Sequence, residues 1–493
     1  MSERAPLAAI AWAVWRAALF GALAVVAAAN VVVVATYFHF PYGERGWTID
    51  FVVHNAWELV HGQPVFVDPA AGNPTALLYT PGLTLLLAPL VAVFGRELWV
   101  ARLLAAAGAL LLLALLTRET ARRVRDQRLV VLAPGLMFLL GTATEWDLIT
   151  VHPETWATVF AFGALLAARR VMQTGRALGW AVAATCAAVA TKQTMLCYAP
   201  AIAFALAGRS RRSAGLYLLG VAGLLAMAAG LAQAATGGQF LKYTLLAERQ
   251  SVDWGKLPDV AAFVAYHFGL LLPLLVLERW RGGWRGFVRD PFLCAAVITL
   301  PALTAAMLKP GSGGSNLLGP AVLLVILFVE SLDRALPLLR RSAALSAAAA
   351  GVGLLCVIGR AKPEFRMLWN DWLARGPRQA AAERIDGALR ASAGSAWMPF
   401  AVAFAWRNGV PVEAPSLLLS EFSATEPAVT GEVLAKIDAA AFDTILLPPT
   451  FYRMLPEAVF GPRLAAHYDP VEVIGVGTDW GLLTPVTVLR RRE

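Results

Sequence analysis

The sequence predicts a mainly α protein: a polytopic membrane bundle of about eleven spanning helices, followed by a small external α/β domain. Composition is the first reason. Hydrophobic residues make up 58% of the chain and charged residues 15%, with mean hydropathy +0.62, whereas an ordinary soluble domain is about 25% charged. Patterning is the second, because apolar runs alternate with short arginine-bearing connections, and each run approaches the length needed to cross about 30 Å of hydrocarbon. The third is a shift near residue 360, beyond which the chain is much less apolar and strand-like segments appear. A membrane module, 1–359, and a tail, 360–493, long enough for a small domain, are the expected divisions.

Spans are expected at 14–36, 98–117, 129–145, 154–168, 177–191, 194–208, 214–235, 261–277, 293–308, 317–332 and 342–358. The first looks like a signal peptide, with Arg4 ahead of it and a small-residue stretch at 27–30. The apolar run continues through Val31, Val32, Val33 and Val34, which is too long for a signal h-region and predicts an uncleaved anchor. Residues 77–95, LLYTPGLTLLLAPLVAVFG, are also apolar enough to cross. Here the arginines arbitrate. If 77–95 does not cross, the connections 117–128, 169–176, 209–213, 278–290 and 333–341, which carry Arg118, Arg122, Arg123, Arg125, Arg169, Arg211, Arg285 and Arg334 among others, fall on one side. The acidic connection 145–153 then falls on the other. The positive-inside rule places the arginine side and the N-terminus in the cytoplasm and the tail outside. Segment 77–95 is therefore expected to be a re-entrant or surface-lying helix, broken at Pro81 and Pro89. In the tail, 379–391 and 429–441 read as helices, and 442–449, 471–477 and 484–491 as strands.

The net charge of +9 is almost wholly arginine, since the lysines are Lys192, Lys242, Lys256, Lys309, Lys362 and Lys436. No clustered basic stripe accompanies it, which argues against a nucleic-acid partner. Cys186, Cys197, Cys294 and Cys356 lie in or beside apolar segments with neither metal-ligand nor disulfide spacing, and read as core filler.

Ionisable groups near membrane depth are costly, so their placement is informative. On the outer side of this topology, TIDFVVHNAWELVHGQPVF (48–66) repeats Asp50, His54 and Glu58 at helical spacing, opposite Phe51, Ala56, Leu59 and Val60. That is an amphipathic helix at the membrane surface, presenting either a solvated face or a carboxylate available as general base or metal ligand. EWDLITVHPETW (145–156) brings Glu145, Asp147, His152 and Glu154 to the same side. These groups read either as an oxygen-rich divalent-cation site or as a loop whose Glu154 sits in the first helical turn after Pro153. Lys192, beside Gln193, is a lone cation between apolar runs; a phosphate partner or an external tight turn accounts for it. Lys309 opens the Gly/Ser-rich turn LKPGSGGSN, ending at Asn316, whose amides could cradle an anion without the strand–helix context of a P-loop.

Together these features resemble the C-type glycosyltransferase (GT-C) superfamily, multi-spanning enzymes that take sugars from polyprenyl-phosphate donors. The order matches over roughly 45–320: Asp50 opening the first external loop (37–97), AWELVHGQP at 56–64, Tyr79-Thr80-Pro81-Gly82-Leu83, Phe94-Gly95, then Ala101-Arg102-Leu103. The region of Asp147 to Glu154 is similar to the second acidic motif, Thr191-Lys192 to the later Thr-Lys pair, and Lys309 to Asn316 to the turn before a late span. There are departures: no Glu adjoins Asp50, Thr80 stands for the first proline of a pair, and His152-Pro153-Glu154 replaces an Asp-x-Asp. Subfamily, sugar and acceptor stay open, as does metal dependence.

The resemblance implies an inverting transfer in which Asp50 accepts the proton of an acceptor hydroxyl as that oxygen attacks the anomeric carbon and the lipid phosphate departs. It implies substrate contacts from His54, Tyr79, His152, Lys192, Lys309 and Asn316. A divalent Mg or Mn ion held by Asp50, Asp147 and Glu154 would be the cofactor. The partners implied are a polyprenyl-phosphate sugar of mannosyl or arabinosyl type, membrane lipid, and an acceptor glycan, lipid or protein, at the outer face of a bacterial plasma membrane. The competing reading is a transporter or flippase of a lipid-linked or small anionic substrate. It would place ionisable groups at the midplane and show a repeated half; neither is evident in the sequence.

Overall fold

A chain this rich in alanine and leucine folds into helices wherever apolar periodicity runs uninterrupted, and the computed structural model is helical through most of its length. The described residues are 4–38, 48–68, 79–141, 144, 150–249, 252–269, 271–272, 290–309, 312–340, 343–392, 395–412, 427–448, 457–475 and 485–492. The helices of the first half are α1 (Arg4–Tyr37), α2 (Thr48–Val60), α3 (Gly82–Phe94), α4 (Leu98–Arg123), α5 (Leu132–Leu139), α6 (Pro153–Thr174), α7 (Leu178–Thr191), α8 (Tyr198–Ala207), α9 (Arg211–Ala235), α10 (Gln239–Arg249) and α11 (Leu257–Phe268). Then come α12 (Pro291–Ala306), α13 (Leu318–Arg340) and α14 (Ala343–Arg390). The tail adds β1 (Ala396–Trp397), α15 (Val402–Arg407), α16 (Pro427–Asp438), β2 (Thr444–Leu447), α17 (Glu457–His467), β3 (Tyr468–Ile474) and β4 (Val486–Arg491).

Among the described residues, three helices are long and apolar enough to cross a membrane: Leu98–Arg123, Arg211–Ala235 and Gly314–Pro337. Other expected spans are shorter apolar helices, including Leu178–Thr191 and Pro291–Ala306. The expected span 129–145 is represented by the eight-residue α5 after a 3-10 turn at Gln127–Leu129. Among the described residues of segment 77–95, the helix is the 13-residue α3, about 20 Å long and too short to span a bilayer unaided. It begins directly after Pro81, as expected, but Pro89 lies inside it without breaking it. Packing explains the tolerance: Leu83, Leu87 and Val91, at i, i+4 and i+8, are buried on α3, which lies against α2, and that apolar seam offsets the lost backbone bond.

The chain forms two compact units. The first comprises 1–34, 105–226 and 251–369, the second 35–104, 227–250 and 370–493. In the first, α6 packs extensively on α7; Ala157, Ala161, Ala164 and Ala168 are fully buried along one stripe of α6, where small side chains let helices approach closely. Ala321, Val322, Val325, Ile326 and Val329 bury α13 in the centre, whereas α9 exposes Leu219 (72%) and Leu231 (66%), a face suited to hydrocarbon rather than water.

At one end of α6, Glu154 lies in the first turn; about 22 Å further along the helix, Arg169 contacts Glu119 of α4. Arg123 is the hub there, reaching Glu119 at 2.6 Å, Asp290 at 2.9 Å and Glu330 at 3.1 Å, while Arg334 also pairs with Glu330. Arg123, Arg169 and Arg334, which the sequence presents as loop charges, are thus engaged in ion pairs that tie α4, α6 and α13 together.

The second unit is built from three stretches of chain. Its sheet has the order β1-β2-β4-β3, with β1 parallel to β2 and the other pairs antiparallel. Side chains alternate across a strand. Trp397, Ile445 and Leu447 therefore pack with Tyr243 of α10, Ile437 of α16 and Phe460 and Leu464 of α17. Leu446, Val486 and Val488 face the opposite way, onto Ile385 and Leu389 of α14 and Phe400 and Phe404 around α15. The two helices and three strands expected in the tail are present, with shifted ends. The expected boundary at 359/360 falls inside α14, which continues unbroken to Arg390.

Candidate functional site

In the second unit, Thr48–Val60 folds as the amphipathic helix its spacing predicts, with Asp50 in the first turn. Asp50 is fully buried, His54 is 5% exposed, and Asn55 is also buried. Asp50 Oδ2 accepts a hydrogen bond from the Ala403 amide of α15 at 3.1 Å. One turn further along α2, His54 Nδ1 accepts from Arg96 Nη1 at 3.0 Å. Arginine has no acceptor, so this bond places the imidazole proton on Nε2, which lies 3.3 Å from Glu58 Oε1. The His54 ring stacks on Trp406 of α15 with centroids 5.9 Å apart. Arg96 lies over Trp57 at 4.0 Å and Trp406 at 5.1 Å. Burial lowers the Arg96 guanidinium below its ordinary pKa, against the opposing pull of Glu58. Arg407 and Glu97 form an ion pair at 3.7 Å on the exposed rim. Tyr79 sits half-buried in the bend before α3.

The first unit holds a second polar cluster. Pro153 occupies the opening turn of α6, a position where its missing N–H costs nothing, and this puts Glu154 in the first turn at 2% exposure. Lys192, which caps the end of α7 at 3% exposure, forms an ion pair with Glu154 Oε1. The partner that the sequence suggests as a phosphate is here a carboxylate. Glu154 Oε2 is buried without a hydrogen bond, and His152 Nδ1 lies 3.8 Å from it. Around the turn after α12, Asn316 Nδ2 donates to Ser312 Oγ at 2.7 Å and to the Gly313 carbonyl at 3.4 Å, closing the turn on itself. Lys309 is half-buried, and its carbonyl accepts from Lys256 Nζ at 3.5 Å.

The structure therefore brings Asp50 together with His54, and Glu154 with His152 and Lys192, while Lys309 and Asn316 share one turn. Glu145 and Asp147 lie outside the described residues, so the expected ligand set Asp50, Asp147 and Glu154 is not on view as a set. Among the described residues no three His, Cys, Asp or Glu side chains come together to hold a metal ion. Glu154 already has the Lys192 ammonium on one oxygen. Arg96, Trp57, Ala403 and Trp406 were not singled out from the sequence. Trp57 shares the helix of Asp50 and Arg96 follows the Phe94-Gly95 motif, but no local pattern links Ala403 or Trp406 to α2.

No protein-family model matches the chain, and no curated protein sequence matches it. Solved structures do. ArnT from Cupriavidus metallidurans in the apo state aligns at 14% identity with a TM-score of 0.58, covering 95% of this chain and 98% of that one. The same protein bound to undecaprenyl phosphate gives 0.56 at 14% identity over the same shares. An Archaeoglobus fulgidus oligosaccharyltransferase complexed with Zn and sulfate gives 0.49 at 16% identity, covering 93% of this chain and 72% of that one. The chain shares the fold of the ArnT structures.

Proposed function

We propose that this protein transfers a sugar, with inversion, from a polyprenyl-phosphate donor to an acceptor lipid, glycan or protein at the outer face of a bacterial plasma membrane. Asp50 carries the proposal. It is a buried carboxylate in the first turn of a helix, held by a neutral backbone amide, in a fold shared over 95% of the chain with a protein crystallised with undecaprenyl phosphate. In the transfer, the Asp50 carboxylate takes the proton of the acceptor hydroxyl as that oxygen bonds to the anomeric carbon. The bond from this carbon to the phosphate oxygen breaks, and polyprenyl phosphate leaves with its electrons. Inversion follows from a single displacement, with no sugar attached to the protein.

His54 keeps its ring fixed through Arg96 and Trp406, one turn from the base. The departing phosphate needs cationic partners, for which we propose Lys309 and, once its ion pair with Glu154 parts, Lys192. Tyr79, His152 and Asn316 are proposed substrate contacts. The sugar is proposed to be a hexose or pentose of mannosyl or arabinosyl type. No step is assigned to a metal.

The test is transfer of labelled sugar from a panel of polyprenyl-phosphate sugars to endogenous acceptors, using membranes with wild-type protein, with Asp50→Asn, and with neither. Incorporation that requires Asp50 is expected and names the sugar. Incorporation unaffected by Asp50→Asn removes Asp50 as the base.

A further inference from the structure

Asp50 is fully buried, yet a general base must meet a hydroxyl brought by a second substrate. The segment lying against it comes from far along the chain. The Ala403 amide donates to Asp50 Oδ2, and Trp406, one turn later on α15, covers His54 and Arg96. The two sides of α15 are bonded differently. Toward the tail, Phe400, Ala401, Phe404 and Ala405 are buried in one hydrophobic cluster with Leu446 of β2 and Val486 and Val488 of β4. Toward α2 and the turn at Arg96 and Glu97, the observed links include one neutral hydrogen bond at 3.1 Å, one ring stack, the Arg96–Trp406 cation–π contact at 5.1 Å and one rim ion pair at 3.7 Å. A neutral hydrogen bond, an aromatic stack and an exposed ion pair are each weak links. The apolar side is the stronger anchor, so α15 stays with the tail when the weaker side parts.

We propose that the tail is a gate: α15 is its latch, and the structure is the closed state, in which the Ala403 amide and Trp406 seal Asp50 from the acceptor. The acceptor hydroxyl reaches the carboxylate only after α15, carried by the tail sheet, withdraws from α2. Opening exchanges the Ala403 hydrogen bond for one from the incoming hydroxyl and exposes His54 and Arg96 in the same movement. This gives the tail a part in acceptor admission, and it rests on Asp50 acting as the base.

The test uses the full-length protein carrying Glu97→Cys and Arg407→Cys, positions on the rim of the latch, reacted with a short cleavable bis-thiol cross-linker or with a long flexible one. Single-cysteine variants and the wild type, treated alike, control for the native cysteines. Two quantities are read: sugar transfer, and hydrogen exchange of peptides covering 48–60 and 401–407. The gate predicts that the short cross-link reduces transfer to the level of Asp50→Asn and slows exchange in both peptides together. The long cross-link spares transfer, and cleavage of the short one restores it. Full transfer under the short cross-link would overturn the gate, because the closed arrangement would then be the working one. Exchange unchanged by the short cross-link would also overturn it, since α15 would not be leaving α2. If wild-type protein transfers nothing, or Asp50→Asn transfers normally, the enzymatic reading fails separately, and exchange alone then decides whether the latch opens.

Discussion

Two buried carboxylates, each in the first turn of a helix, differ in the partner seen on one oxygen. Glu154 of the first unit has the Lys192 ammonium on one oxygen, with both side chains sealed from solvent at 3% and 4% exposure. Asp50 of the second unit is equally buried, but its Oδ2 accepts from the neutral amide of Ala403. An ammonium in direct contact commits a carboxylate's charge to the protein, whereas an amide orients the group and leaves its charge to be spent on an incoming proton. Burial alone does not mark a catalytic acid or base; under the proposed function, the neutral Ala403 amide on Asp50 contrasts with the ammonium on Glu154.

Breaking the fixed pair should have the largest effect on stability. Lys192→Met leaves Glu154 buried beside nothing cationic but His152, and should destabilise the protein by about 3–5 kcal/mol. Adding Glu154→Gln should recover much of that loss in thermal unfolding in detergent. An undiminished loss in the double variant would mean that Lys192 works through packing rather than charge.

Next in size is the packing of the unit that carries this pair. A Cβ at Gly319 would collide with the Tyr198 hydroxyl, so Gly319→Ala should cost about 1–3 kcal/mol by overpacking. Tyr198→Phe should partly rescue it in the same unfolding assay.

On the other side of the comparison, Asp50→Asn keeps an oxygen that can accept from Ala403. It should shift unfolding by less than about 1 kcal/mol, the scale of a single neutral hydrogen bond. A larger loss would make Asp50 a second structural charge and remove the contrast. The smallest effect is expected for Arg384→Ala in the tail. Its ion pair with Glu472 has side chains 52% and 38% exposed, and solvent screening should leave a change within about 0.5 kcal/mol.

What the sequence disclosed follows the range of the interactions involved. The run of Asp50, His54 and Glu58 is a local period, so the helix and its polar face were legible, as was Glu154 in the turn after Pro153. Lys192 advertised its need for an anion, but nothing nearby in the chain identifies Glu154, 38 positions earlier, as that anion. Ala403 and Trp406 are joined to α2 by tertiary packing alone, so α15 had no sequence signal at all. Hydropathy drops at 359/360. Hydropathy reports the surroundings of a helix, and α14 continues because its Ala, Arg, Glu and Leu residues favour helix in either environment. Pro89 by itself predicts a break in α3, and the apolar seam against α2 overrides that local preference.

The most direct measurement is the turnover of purified Asp50→Asn against wild type in proteoliposomes, with a donor that the wild type accepts. Loss of a general base predicts a fall in kcat of about 10²–10⁴-fold with donor KM little changed. Turnover equal to wild type from folded Asp50→Asn protein would contradict the account.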